Sequence, residues 1–360
     1  MLTTATIIPS SFEDNQHDEL LYPFDLIILL LRQLEKNSIL LVDMGKVIES
    51  DIDRNIRNWP ESQDQYRTKA MSLLKNMKTS KRIVSIPFMN GLNQISTGNN
   101  TCKKPCQIVK QIHTQECSKF LLSRSSCYEC LNENFTNISE NTGIIAIDDF
   151  AMNDKFHELM AHSGCFIDKT SWDQIRLKRE ILVPIFQYAK SIKFIDKILG
   201  RAVLQENWCN FEAVLIWMIE VLISSSRVKK IEHIEFYTSP PEKYNFPKTN
   251  QGRYSINNLN KKTALTRLER LEKNINNLVG YECFKFYFKP YKEMPHDRFI
   301  LTDQISLSLG TGIELFKAQE PYPRQLKDCT VSCEKEYKKN GHRVRTLNGF
   351  ELRQWISNLS

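Results

Sequence analysis

Long hydrophobic runs are absent from this sequence. The longest apolar stretch, Phe24 to Leu31, is far too short to span the roughly 30 Å hydrocarbon core of a bilayer. The amino-terminal segment is polar and acidic, without the basic and then apolar order of a secretion signal. We therefore expect no signal peptide, no transmembrane segment and a cytoplasmic protein.

A large excess of either charge is also missing. The 360 residues carry a net charge of +7, and hydrophobic and charged residues make up 41% and 25% of the chain. These fractions are ordinary for a soluble globular protein, and the length predicts about two domains. A modest positive charge suits an anionic partner such as nucleic acid without requiring one.

Cysteine is plentiful, with ten residues in the chain. Without a secretion signal, these cysteines indicate free thiols or metal ligands rather than disulfides. A Cys-rich insert, predicted over 89–139, carries two short-spaced pairs with the spacing of a tetrahedral zinc site. The predicted ligands are Cys102, Cys106, Cys127 and Cys130, with Cys117 or His113 as substitutes. The alternative is a flexible, thiol-bearing loop.

Short apolar runs in the amino-terminal half predict a small α/β domain over residues 1–150 with a parallel sheet. We expect a loose arm over 1–20, and the apolar runs predict helices over 23–37 and 65–77 and strands near 38–43, 81–87 and 143–150. Two of these strands deliver Asp43 and the Asp148–Asp149 pair to their carboxyl ends. If these three carboxylates converge, they could hold Mg²⁺, an arrangement that resembles PIN-like nucleases. Alternatively, Asp149 simply starts the helix that follows.

The carboxyl-terminal half predicts a second α/β domain over residues 191–320. A helical connector is expected over 151–190, and a basic tail follows the domain from 321 to 360. Within the domain the apolar patterns predict the order β-α-β-α-β-β, which places His296 on a central strand. We expect the loop at 242–262 and the tail, both basic, to lie near that histidine.

The stretch HDRFILTDQISLSLGTGIELF, from His296 to Phe316, contains the clearest motif. Alternation predicts a strand that carries His296 and Arg298 on one face, followed by Asp303 and a second strand. A small turn then comes at Gly310, Thr311 and Gly312. A histidine, a guanidinium and a glycine-rich turn on rigid strands favour a phosphodiester-binding site. The alternative is an exposed strand pair with an ordinary surface histidine and arginine.

This spacing resembles the signature of the phospholipase D superfamily, which is His-x-Lys, four residues, Asp, six residues and Gly-Ser/Thr. Arg298 stands where the family has lysine, and the usual downstream asparagine is lacking. The motif is most similar to the divergent phospholipase D-like domain of MIT-domain proteins, which is generally regarded as a binding domain rather than a hydrolase. The resemblance implies an α/β sandwich for the second domain.

The resemblance also implies a mechanism. In the superfamily one histidine attacks phosphorus, a second protonates the leaving oxygen, and the lysine stabilises the phosphoryl charge without a metal. One motif supplies one histidine, so hydrolysis requires a homodimer that brings two copies of His296 together. His296, Arg298 and Asp303 are then catalytic, and Gly310, Thr311 and Gly312 bind the phosphate.

Three functions follow from these patterns. The first is a dimeric phosphodiesterase or nuclease acting on DNA or RNA, with a protein partner in a multi-gene prokaryotic antiviral defence system as one setting. The second is a non-catalytic module that binds a phosphate group, a lipid headgroup or a protein partner in the same pocket. The third is a metal-dependent nuclease that uses the amino-terminal carboxylates. Arginine preserves phosphate binding better than it preserves catalysis, because its wider fork shifts the geometry.

Overall fold

The computed structural model describes residues 2–13, 24–87, 104–116, 120–123, 143–147, 164–204, 208–240, 258–310, 315, 326–334 and 350–352. These residues form a mixed α/β structure with two separate sheets. Contacts divide the chain into two compact units, Met1–His162 and Ser163–Ser360.

The first unit is built on a parallel sheet of five strands in the order β3-β2-β1-β4-β5. Its strands are β1 (Thr3–Ile7), β2 (Ser38–Asp43), β3 (Ile83–Ile86), β4 (Phe120–Ser123) and β5 (Gly143–Ala146). All six residues of β2 are buried, as expected for a strand of a parallel sheet that is covered on both faces. The expected strands at 38–43, 81–87 and 143–150 are therefore present in the described residues.

Among the residues that the structure describes, four α-helices accompany this sheet: α1 (Phe24–Asn37), α2 (Val47–Arg57), α3 (Asp64–Thr79) and α4 (Lys104–Glu116). Helix α1 packs on α3 and β2 through an apolar stripe that includes Ile27, Leu31 and Leu34. Its carboxyl end is held by the buried side chain of Arg82, whose Nη1 donates to the carbonyls of Glu35 and Lys36 at 2.7 and 2.8 Å. These bonds satisfy two of the carbonyls that a helix leaves open at its end.

Two expectations for this unit are wrong. The segment expected to be a loose arm contains β1, which is the middle strand of the sheet and pairs with both β2 and β4. The segment expected to be an insert contains α4 and the central strand β4. The physical reason is burial: Ile108, Val109 and Ile112 form an apolar stripe on α4, and the short run of β4 is fully buried.

The second unit is built on a mixed sheet of eight strands in the order β13-β9-β8-β7-β10-β11-β12-β6. Its strands are β6 (Gly164–Ile167), β7 (Ser191–Ile195), β8 (His233–Thr238), β9 (Phe284–Phe288), β10 (Arg298–Thr302), β11 (Ser306–Leu309), β12 (Cys329–Glu334) and β13 (Phe350–Glu351). Strands β7, β8 and β9 are parallel, whereas the other pairings are antiparallel. The predicted β-α-β-α-β-β order over 191–309 is present, and β10 is a central strand. The expectation that His296 lies on this strand is wrong, because β10 begins at Arg298 and His296 lies in the bend before it.

The helices of the second unit cover an aromatic core. They are α5, with segments Gln174–Leu177, Lys178–Leu182 (a π-helical turn) and Val183–Phe186, then α6 (Leu199–Ala202), α7 (Trp208–Ser225) and α8 (Asn258–Val279). The rings of Phe194 and Phe236 on neighbouring strands stack with centroids 5.9 Å apart, and Phe286 continues the row 5.5 Å from Phe236. Among the described residues, α7 alone is long and apolar enough to cross a membrane, yet half of it is buried inside the unit, as in a core helix.

Three strands of this unit lie where other structure was expected. Strand β6 lies within the predicted helical connector, and β12 and β13 lie within the predicted basic tail. Strands β6 and β12 pair with each other, with Cys165 opposite Val331. Each supplies the backbone partners that the other needs, which local sequence patterns do not reveal.

Candidate functional site

The candidate site lies at one edge of the second sheet. The parallel strands β7, β8 and β9 all end at this edge, and the antiparallel strand β10 begins there, because Phe299 pairs with Ile195. The segments that follow β7 and β8 and the segment that precedes β10 therefore meet. Ligands bind in open α/β sheets at such carboxyl-terminal edges.

Lys197 and His296 are in direct contact at this edge. Lys197 Nζ lies 2.9 Å from His296 Nδ1, and Lys197 is only 8% exposed whereas the histidine is exposed. A lysine ammonium donates hydrogen bonds and accepts none, so Nδ1 is the acceptor. A neutral imidazole that accepts this bond carries its proton on Nε2, where it can be donated to a ligand.

The ring of Tyr291 brings a second cation to the same place. Tyr291 lies in a short 3₁₀ turn, Tyr291–Glu293, between β9 and β10. Lys197 Nζ lies 4.9 Å from the ring centroid, and Arg201 Cζ lies 4.3 Å from it. Both distances are those of cation–π contacts. Within the described residues, no carboxylate lies within ion-pair distance of Lys197.

Close packing of α6 on the end of β8 fixes the two cations. The Gly200 N–H donates to Thr238 Oγ1 at 2.8 Å, and a Cβ at this position would lie 2.1 Å from the Ser239 carbonyl oxygen. Only glycine allows that approach. At the start of the turn, the buried Asp196 carboxylate accepts from the Ile198 N–H at 2.7 Å.

Ser239 Oγ, which follows β8, and Arg298 Nε, at the start of β10, are buried donors at this edge that have no hydrogen-bond partner among the described residues. Buried polar groups are nearly always hydrogen-bonded, so such donors mark a place where an acceptor is missing. An anion supplies acceptors to a hydroxyl and to a guanidinium alike.

Two residues of the predicted motif, Arg298 and Gly310, lie side by side. Arg298 Nη1 points to the carbonyl of Gly310 at 3.5 Å, so these two residues are neighbours. The Gly310 N–H donates to the Thr330 carbonyl at 2.9 Å, which leaves it unavailable to a phosphate. Thr311 and Gly312 lie outside the described residues.

Asp303 lies at the opposite end of β10. Five residues of extended strand separate it from Arg298, which is about 17 Å. Its carboxylate accepts from the Lys190 N–H at 3.1 Å, and its own N–H donates to Ser191 at 3.2 Å. The expected catalytic role is therefore not supported by its position, because Asp303 holds the start of β7 instead of contacting His296.

The predicted magnesium ligands are separated by the strand order. Asp43 is buried, and its carboxylate accepts from the Val47 and Ile48 N–H groups at 3.0 and 2.8 Å, which caps α2. Strands β1 and β4 lie between β2 and β5, so the ends of β2 and β5 are about 14 Å apart. Asp148 and Asp149 follow β5 outside the described residues. This separation argues against a shared metal.

The predicted zinc ligands fall mainly outside the described residues. Cys102, Cys127 and Cys130 lie outside the described residues. Cys106 lies in α4, but its side chain is not described. The substitute ligand His113 is buried in the first unit, and this burial lowers its pKa from 6.5 to about 4. Within the described part of the chain, no three His, Cys, Asp or Glu side chains form a group that could hold a metal.

Sequence reasoning missed Lys197, Arg201 and Tyr291. Part of the signal for the two cations is present in the sequence, since both follow a predicted strand closely: Lys197 lies in the turn after β7, and Arg201 lies in α6. Their partner His296 is far away in the chain, so only the strand order brings them together.

Comparison with models of protein families, with curated proteins and with solved structures found no match to this chain.

Proposed function

We propose that the second unit is a phosphate-binding module that holds the backbone of a nucleic acid at the edge formed by Lys197, Arg201, His296 and Arg298. The observation that carries this proposal is the buried Lys197 ammonium, whose described partners are an imidazole nitrogen and an aromatic ring. A buried charge needs a counter-charge. A phosphate oxygen from outside the protein supplies it.

Ser239 and Arg298 support the same ligand. Their buried donor atoms lack acceptors among the described residues, and a phosphate group carries several strong acceptor oxygens. The order of elements from β7 to β11 is also the order that the phospholipase D-like resemblance predicts. The net charge of +7 favours a polyanion over a single small anion.

The proposal favours binding over hydrolysis because of the state of His296. A histidine that attacks phosphorus needs an available nitrogen lone pair. The Nδ1 lone pair accepts a hydrogen bond from Lys197, and Nε2 of the neutral ring carries the proton. This arrangement suits hydrogen-bond donation to a bound phosphate. The non-catalytic alternative is therefore the better account of the site.

Binding of a labelled single-stranded oligonucleotide at low salt, followed by fluorescence anisotropy, tests the proposal. Lys197→Met removes the charge and keeps an apolar side chain of similar length. Because hydrogen bonds to charged groups contribute about 1.5–3 kcal/mol, we expect affinity to fall by about tenfold or more. Lys178→Met is the matched control, since Lys178 is an exposed lysine on α5.

Three results would contradict the proposal. Equal losses in Lys197→Met and Lys178→Met would mean that only net charge matters. Binding to anionic lipid vesicles with no binding to nucleic acid would assign the site to a lipid headgroup. Cleavage of the oligonucleotide that survives EDTA and disappears in His296→Ala would support the hydrolase function instead.

A further inference from the structure

The first unit contains a cavity of about 690 Å³ between its sheet and two of its helices. Strands β2 and β3 form one wall, and helices α2 and α3 form the others. The apolar lining consists of Leu40, Val42, Ile52, Met71, Leu74 and Ile83. This volume lies within the range of about 300–1,000 Å³ that is typical of small-molecule sites.

Charged side chains surround this apolar lining. Its two carboxylates are already paired, because Glu49 bonds Lys78 and Asp53 accepts from Arg57 Nε at 2.7 Å. The side chains of Lys46 and Lys75 also line the cavity and have no partner among the described residues. The rim is therefore net positive, with two ammonium groups available to a ligand.

The apolar lining and the net positive rim together select the kind of ligand. The lining suits an apolar chain, and the two ammonium groups suit an anionic group at its end. A small molecule with an apolar body and one anionic group fits both the lining and the rim.

We propose that this cavity binds a small amphipathic anion, namely an alkyl chain that ends in a carboxylate or a phosphate. The chain packs against Leu40, Val42 and Ile83 on the sheet and against Met71 on α3. The anionic group lies at the rim, where Lys46 and Lys75 neutralise it. This site is independent of the phosphate-binding edge of the second unit.

Isothermal titration calorimetry of the whole chain with decanoate, octanoate, decyl phosphate and decyltrimethylammonium tests the proposal. Burial of each CH₂ group is worth about fourfold in affinity, so decanoate binds up to about 16-fold more tightly than octanoate. Decanoate or decyl phosphate binds, and the comparison of the two identifies the preferred headgroup. The cationic probe does not bind.

Variants of the lining and rim locate the site. Met71→Trp fills the cavity and lowers decanoate affinity at least tenfold. Lys46→Gln together with Lys75→Gln lowers it as well, and these two exposed positions leave the fold intact if the tryptophan variant is unstable. Lys69→Gln is the control, because Lys69 is exposed on α3 and does not line the cavity.

Three results overturn the proposal. One is equal binding of the anionic and cationic probes, which indicates nonspecific detergent-like association. Another is decanoate affinity that is the same in the wild type and in the Lys46→Gln, Lys75→Gln variant. The third is that neither decanoate nor decyl phosphate binds.

Discussion

Gly200 and Ser239 approach so closely that no side chain fits between their backbones. A Cβ at Gly200 would lie 2.1 Å from the Ser239 carbonyl oxygen, far inside the contact distance of carbon and oxygen. This approach sets α6 on the end of β8 and, with it, the positions of Lys197 and Arg201. The candidate site therefore depends on a residue that carries no functional group.

Gly200→Ala should damage both stability and ligand binding. Overpacking of a tight site costs about 1–3 kcal/mol, and the displaced α6 moves the two cations. We expect a lower midpoint in urea and a loss of oligonucleotide affinity. Gly280→Ala is the control: at its φ of +89° an added Cβ costs about 1–2 kcal/mol, but open space surrounds it. Unchanged oligonucleotide affinity in Gly200→Ala would contradict the account of the site.

The salt dependence of oligonucleotide binding should reveal the contributions of Lys197 and Arg201. Each phosphate contact that is lost lowers the slope of log K against log salt by about 0.7 for single strands. Lys197→Met and Arg201→Gln should each reduce the slope by that amount, and Lys178→Met should leave it unchanged. Anisotropy titrations between low and moderate salt measure these slopes.

Acid should destabilise the first unit through His113. Burial lowers the pKa of this histidine from 6.5 to about 4, so between these values the unfolded chain binds a proton that the folded chain does not. Stability is therefore full above pH 6.5 and falls as the pH drops towards 4, by about 3 kcal/mol in total. His113→Leu should flatten this part of the profile in urea titrations, whereas replacement of the exposed His233 by Gln should not.

Asp43→Ala should destabilise the first unit without any effect of magnesium. The carboxylate accepts two backbone N–H groups at the start of α2, and loss of such a cap costs about 1–2 kcal/mol. Thermal unfolding of wild type and variant, each with Mg²⁺ and with EDTA, measures both effects. A rise in the wild-type midpoint with Mg²⁺ that the variant lacks would support the metal-site alternative instead.

Zinc bound by Cys102, Cys106, Cys127 and Cys130 stays a prediction. A closed structural site holds about one zinc ion per chain, which elemental analysis of protein purified without chelator would detect. Cys127→Ser should abolish it, and replacement of the exposed Cys209 by Ser should leave it unchanged. Metal-free wild-type protein would rule the site out.

The sequence predicts those elements whose buried residues form local apolar runs. Strand β2 and helix α7 are of this kind, since all of β2 and half of α7 are buried. Strand β1 was missed because its threonines look polar, although Thr6 is fully buried and donates to the Phe120 carbonyl at 3.3 Å. Within the site, His296 and Arg298 follow from the motif, but Lys197 follows only from the pairing of β7 with β10.

The pairing of β12 with β6 has a consequence for any shortened chain. A polypeptide that stops near residue 320, where the sequence suggests that the domain ends, lacks β12, which lies between β11 and β6. Both neighbours would then present open backbone edges, which recruit strands from other chains. During synthesis the sheet stays incomplete until residue 351, in β13, has left the ribosome, so contacts between distant parts of the sequence form late. Premature termination would release an aggregation-prone product in place of a smaller working domain.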